Sequence, residues 1–88
     1  MTMRIRASDV SRQLGDAGHT HSEWDGVDWD PGYRTAQGGP RTVHVFHDGP
    51  GEVHHLELYT LALRNLNYQV IQEQQDCGGR HRLAVTRA

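Results

Sequence analysis

The sequence predicts an α+β domain with two layers, in the order α-β-β-α-β-β, whose four-stranded, largely antiparallel sheet carries both helices on one face. Three observations predict it. Residues 9–17 and 52–66 repeat their apolar side chains at helical spacing. Two pairs of segments, "GYRTAQ" with "RTVHVFHD" and "YQVIQEQ" with "HRLAVTR", read as strands joined across glycine-rich turns. Finally, 88 residues with 35 % hydrophobic content close only one small core, so these stripes must bury one another in a single domain, 1–88.

Each element has a local reason. In the first helix Ser8 suits the N-cap, Asp9 suits the positive end of the helix dipole, and Val10, Leu14 and Ala17 share a face. Gly18 can take the left-handed position that stops it. Gly15 costs about 1 kcal/mol against alanine, so this helix depends on its packing. From about 19 to 32 the pattern is lost in a long acidic loop that holds Trp24 and Trp29 and is broken by Gly26 and Pro31-Gly32. The first hairpin turns across Gly38-Gly39-Pro40, and its second strand sets Val43 and Val45 on one side with His44 and Phe46 on the other. Asp48-Gly49-Pro50-Gly51 leads into the main helix, whose stripe runs through Val53, Leu56, Tyr59, Leu63 and Leu66 and ends at Asn67. A second hairpin turns around Asp76-Cys77-Gly78-Gly79.

Composition narrows the function classes. Cys77 is single, which excludes an intramolecular disulfide and makes the cytoplasm the expected compartment. No apolar run reaches the ~18 residues of a membrane span, and "MTMRIRASDV" lacks a signal-peptide core, so no membrane contact is expected. All nine basic residues are arginine against eleven acids. Asp16, Glu23, Asp25, Asp28 and Asp30 fall in an arginine-free stretch, and Arg80, Arg82 and Arg87 follow the last acid. The expectation is an acidic end and a basic end.

The stretch "VHVFHDGPGEVHHLELY" concentrates four histidines and three acids. His44 and His47 are three apart in a strand and therefore point to opposite faces. His54 and Glu57 share a helix face, so His47, His54 and Glu57 could converge on a metal if the turn folds the strand end against the helix start. No H-E-x-x-H or paired C-x-x-C supports that reading, and solvated histidines are the expectation. Asp25, Asp28 and Asp30 offer hard oxygen donors, but the loop lacks EF-hand spacing. Cys77 with His81 has no third group to orient it, and no glycine-rich phosphate loop occurs. No catalytic, cofactor-binding or metal-binding residue is assigned, and the protein is not expected to be an enzyme.

Two surfaces remain. Arg34, Arg41, Arg80, Arg82 and Arg87 could place guanidinium groups on the sheet face away from the helices, with Tyr33 or Tyr68 stacking on bases. The pI of 6.3 and the lack of any RNP-like or helix-turn-helix signature oppose a nucleic-acid role. On the main helix, at about 100° per residue, Leu58 and Leu61 fall opposite the apolar stripe beside His54 and Asn65. Such a pair suits a homodimer or partner contact, unless a wide core face wraps both. Trp24 and Trp29 are of the type enriched in binding hot spots, or else are lids on a thin core.

The frame "ASDVSRQLGDAGH", then "GYRTAQGGPRTVHVFHDG", then "ALRNLNYQV" resembles small uncharacterised proteins common in high-GC actinobacteria and their phages. The resemblance covers most of the chain, implies context and fold, carries no assigned activity and transfers no functional residue. The expected function is that of a small non-enzymatic binding or regulatory protein of a phage or mobile element. It would act by protein contact, with an unknown partner or as a homodimer, through Leu58, Leu61, Trp24 and Trp29. The alternative is a nucleic-acid-binding module using the five arginines.

Overall fold

A computed structural model of the chain describes residues 4–75 and 79–87. Helix α1 spans Ala7–Asp16, β1 Gly32–Gly39, β2 Thr42–Asp48, α2 Glu52–Asn65, β3 Tyr68–Gln74 and β4 His81–Arg87. The strands form one sheet in the order β1-β2-β4-β3, and every pairing is antiparallel. The predicted order and sheet are thus the observed ones. The Cys77 turn between β3 and β4 lies outside the described residues.

The strand order follows from burial. Val43 and Val45 of β2 lie opposite Val85 and Leu83 of β4, and all four are fully buried. The two most apolar strands take the centre, and the more polar β1 and β3 take the edges. Both helices lie on the face that carries these residues. Val10 and Leu14 of α1 and Leu56, Tyr59 and Leu63 of α2 join them in one core cluster with Ile5, Tyr33, Tyr68 and Val70. Val53 and Leu66, expected in the α2 stripe, are exposed. They sit at the two ends of α2, and the rest of the fold covers only its middle turns. Ala17, expected on the α1 stripe, follows the last helical residue and is exposed.

Helix α1 starts at Ala7, with Arg6 rather than Ser8 in the cap position and no side-chain cap from it. The cap comes from β1 instead, where the Gln37 side-chain oxygen accepts the Ala7 N–H at 2.9 Å. The far end is stopped as the sequence suggests. Gly18 is left-handed, its N–H reaches the Gly15 carbonyl, and the His19 N–H reaches the Leu14 carbonyl. Asn67, with φ of 68°, takes the corresponding position after α2.

The chain covers the outer edge of β1. Thr20 O accepts the Tyr33 N–H at 2.9 Å and Tyr33 O accepts the Ser22 N–H at 2.8 Å, so residues 20–22 run beside the strand start. Gly32 permits this approach, because a Cβ there would collide with the Thr20 carbonyl. Farther along, the Gln37 amide donates to Ile5 O at 2.8 Å and the Thr35 hydroxyl to Ala7 O at 3.3 Å. At the opposite edge, among the described residues, the β3 backbone receives one side-chain bond, from the Arg64 guanidinium to Val70 O at 3.0 Å.

Candidate interaction surface

The acidic loop is built as a small hairpin. The Asp25 carboxylate accepts the N–H groups of Val27 and Asp28, both at 2.8 Å, and the Asp25 N–H reaches Asp28 O at 3.0 Å. The Asp30 N–H closes the base onto Glu23 O at 2.7 Å, and the fully buried Ser22 donates its hydroxyl to Asp30 O at 2.8 Å. The carboxylate of Asp25 is thereby held below its ordinary value, chiefly by the Asp28 N–H and then by the Val27 N–H. Asp25 serves as a turn clasp, its Oδ1 accepting both backbone N–H groups.

This turn pairs Trp24 with Trp29 edge to face, ring centroids 5.5 Å apart, and leaves them 55 % and 40 % exposed. They are not lids on the core. The hairpin closes on itself, and Trp29 meets the Arg34 guanidinium, 5.0 Å from its ring centroid. Arg34 also lies 5.4 Å from the Phe46 ring, its register partner on β2, and Arg80 lies 5.4 Å from the same ring. Trp24, Trp29, Arg34, Phe46 and Arg80 thus make a continuous ladder of rings and guanidinium groups.

Asp48 fixes the ladder from within the fold. One carboxylate oxygen takes Arg34 Nε at 3.0 Å and the other takes Arg80 Nη2 at 3.0 Å. Burial pushes the Asp48 carboxyl up, but the hydrogen bonds and charge of Arg34, with the hydrogen bond from Arg80, outweigh it and hold the group below its ordinary value. Arg80 further donates to His47 O at 2.7 Å and lies 3.6 Å from Glu52.

Of the five arginines expected on the sheet face away from the helices, Arg34 and Arg80 stand there over the Phe46 ring and Arg82 stands there beside Glu73, each engaged by a carboxylate. Arg34 and Arg80 share Asp48, and Arg82 donates to Glu73 at 2.7 Å. Arg87 donates to Arg4 O and lies over the Tyr68 ring, and Arg41 sits in the exposed turn between β1 and β2. Tyr33 and Tyr68 are buried on the helix side of the sheet, because their strand positions alternate with the open face, so neither can stack on a base. Folding sets Arg80 and Arg82 against Asp48, Glu52 and Glu73.

The core does not wrap the leftover leucines. Leu58 is 38 % and Leu61 61 % exposed on the outer crest of α2. They border different grooves: Leu58 stands beside His19, His55 and Pro31, whereas Leu61 stands with Glu57, Arg64 and Gln72.

As expected, His44 and His47 part to opposite faces, His44 lying 3.9 Å from Glu73 on the open side and His47 buried under α2. His47 stacks on His55 rather than approaching His54, with rings 4.0 Å apart and 3° from parallel. Its Nε2 lies 3.2 Å from Pro50 O and its Nδ1 2.7 Å from the Tyr59 hydroxyl. A carbonyl can only accept, so Nε2 carries a proton, and in the neutral ring that burial favours Nδ1 accepts from the Tyr59 hydroxyl. Burial and then the charge of His55 hold His47 below its ordinary value, and the same two causes act on His19, packed edge-on 4.9 Å from Tyr59. Burial, then Tyr33 and Asp48, push Tyr59 up to about 12. Among the described residues no three histidine, cysteine or acidic side chains are grouped to hold a metal ion.

Sequence reasoning missed Asp48 and Phe46. The signal was present in the register, since closing the first hairpin at its glycines sets Arg34 opposite Phe46. The chain matches no family model, no curated protein and no solved structure, so its own geometry carries the functional reading. No helix among the described residues is long and apolar enough to cross a membrane.

Proposed function

We propose that this chain is a non-enzymatic protein-binding module whose contact surface is the Trp24–Trp29 hairpin with Arg34 behind it, and that Leu58, beside Pro31, provides further contact area. One observation carries the reading. Two exposed tryptophans are held edge to face on a turn already ordered by Asp25 and Ser22, and the inner ring rests on an arginine pinned by Asp48. Tryptophan and arginine dominate binding energy when they are pre-ordered, because a partner then buries large area at small entropic cost.

Nucleic-acid binding is the weaker reading. Phosphate contacts need guanidinium groups free to exchange counterions, and Arg34, Arg80 and Arg82 are engaged by carboxylates. An enzymatic role is disfavoured by His47, whose two nitrogens are both occupied within the fold. The setting of a phage or mobile element rests on the sequence frame, and a cytoplasmic location rests on the single cysteine.

The test is affinity capture from host lysate with the wild type and with Trp24→Ala/Trp29→Ala, with and without nuclease. A protein captured despite nuclease and lost with the double substitution is the expected result. Capture that disappears with nuclease, or that ignores both tryptophans, would refute the proposal.

A further inference from the structure

We infer that the outer edge of β3, along which no strand or loop backbone runs among the described residues, is a pairing surface for a second copy of this chain, joining two sheets antiparallel about a two-fold axis at Ile71. The inference does not depend on the tryptophan hairpin, which stands by the opposite edge of the sheet.

The backbone sets the register. The Gln75 N–H bonds to Arg80 O at 3.0 Å, so Gln75 faces β4. Inward and outward groups alternate along an antiparallel strand, so Gln69, Ile71 and Glu73 also bond inward while Tyr68, Val70, Gln72 and Gln74 turn their N–H and C=O groups outward. The Arg64 bond to Val70 O agrees with this assignment. The pairing of β3 with β4 runs without a bulge and β3 contains no proline, so two usual protections of an exposed edge are missing, and its one charge, Glu73, is engaged by Arg82.

The chemistry about Ile71 is self-complementary. Ile71 is 65 % exposed on the open face. A two-fold axis through it sets Ile71 against Ile71 of the second copy, and Val70 against Gln72 with both backbone bonds exchanged. The helix side fits the same axis. Arg64 reaches Val70, and Glu57, Leu61 and Arg64 border one groove with Gln72, so Leu61 stands level with Ile71. The axis then brings Leu61 toward its copy and Glu57 toward Arg64 of the second copy, opposite charges meeting twice. A domain with a core this small gains proportionally from such burial.

Sedimentation of the full chain over a concentration series tests this, with circular dichroism on every variant to check folding. The wild type is expected to approach twice its 9.9 kDa mass. Ile71→Lys should weaken association about a hundredfold, as two facing cations replace two apolar side chains that shielded each other. Glu57→Arg and Arg64→Glu should each weaken it, and the two together should restore it, which a merely structural role for either residue would not do. A monomer at all concentrations, a dimer indifferent to Ile71→Lys, a double reversal no better than the singles, or a dimer dispersed by Leu58→Glu alone would each overturn the proposal.

Discussion

The two edge strands have similar polarity and are finished in opposite ways. β1 is closed by the chain itself, through residues 20–22 at Tyr33 and through Ile5 and Ala7 at Gln37. Among the described residues, the β3 backbone has one guanidinium on one carbonyl. The difference shows that protection of an edge is a tertiary property here. The segments that cover β1 lie well before it or immediately before it in the chain, and among the described residues β4 is the one element after β3 and is spent on the other side of the strand. The closed edge supports a rigid hairpin with two tryptophans, and the open edge retains unspent hydrogen-bonding capacity.

The contrast should be largest in side-chain truncation. Tyr33→Ala removes a buried ring and its hydroxyl bond to Ser11 O at 2.6 Å, and should cost about 3–5 kcal/mol. Ile71→Ala, measured in dilute protein, should stay within about 0.5 kcal/mol. Urea denaturation of both variants measures the gap, and similar losses would deny that the edges differ. A smaller effect is expected at the polar clips. Gln37→Ala loses the Ala7 cap and the bond to Ile5 O, about 2 kcal/mol together, whereas Gln72→Ala should be silent. Hydrogen exchange should then show the Ala7 amide released only in the first variant.

Acid should act next, and mainly on the closed side, where His19 and His47 pack against Tyr59. Burial first, with His55 second, holds both below the ordinary 6.5, and His44 is lowered by burial and then by Arg82. The unfolded chain therefore takes up protons first. Stability is full above about pH 6.5 and declines as the pH falls below it until the folded-state values are passed. Asp48, also lowered, contributes above its ordinary 3.8 and loses that contribution as the pH falls through its folded-state value. Urea midpoints against pH should show the first decline, and His55→Ala should make it shallower.

Much of this fold was legible because its signals are local. Alternation in "HRLAVTR" and the turn chemistry of Gly18 and Asn67 need only neighbouring residues, and these elements fall where the sequence places them. The start of α1 was not legible, because its cap comes from Gln37, thirty residues away. The exposure of Trp24 and Trp29 was hidden for a similar reason: it depends on Arg34 and Ser22 holding the hairpin outside the core. The carboxylates that engage the arginines were not legible either, since Asp48 and Glu52 lie about thirty residues from Arg80 and Glu73 meets Arg82 only across the second hairpin.

Trp24 and Trp29 are the two tryptophans of the chain, so fluorine NMR of the fluorotryptophan-labelled protein reports on the proposed contact surface alone. Titration with the protein recovered by affinity capture should shift or broaden both resonances at the stoichiometry of the complex, while Leu83 and Val85 keep their core methyl signals. A complex that forms with both fluorine resonances unmoved would place the partner elsewhere and contradict the assignment of the hairpin as the binding surface.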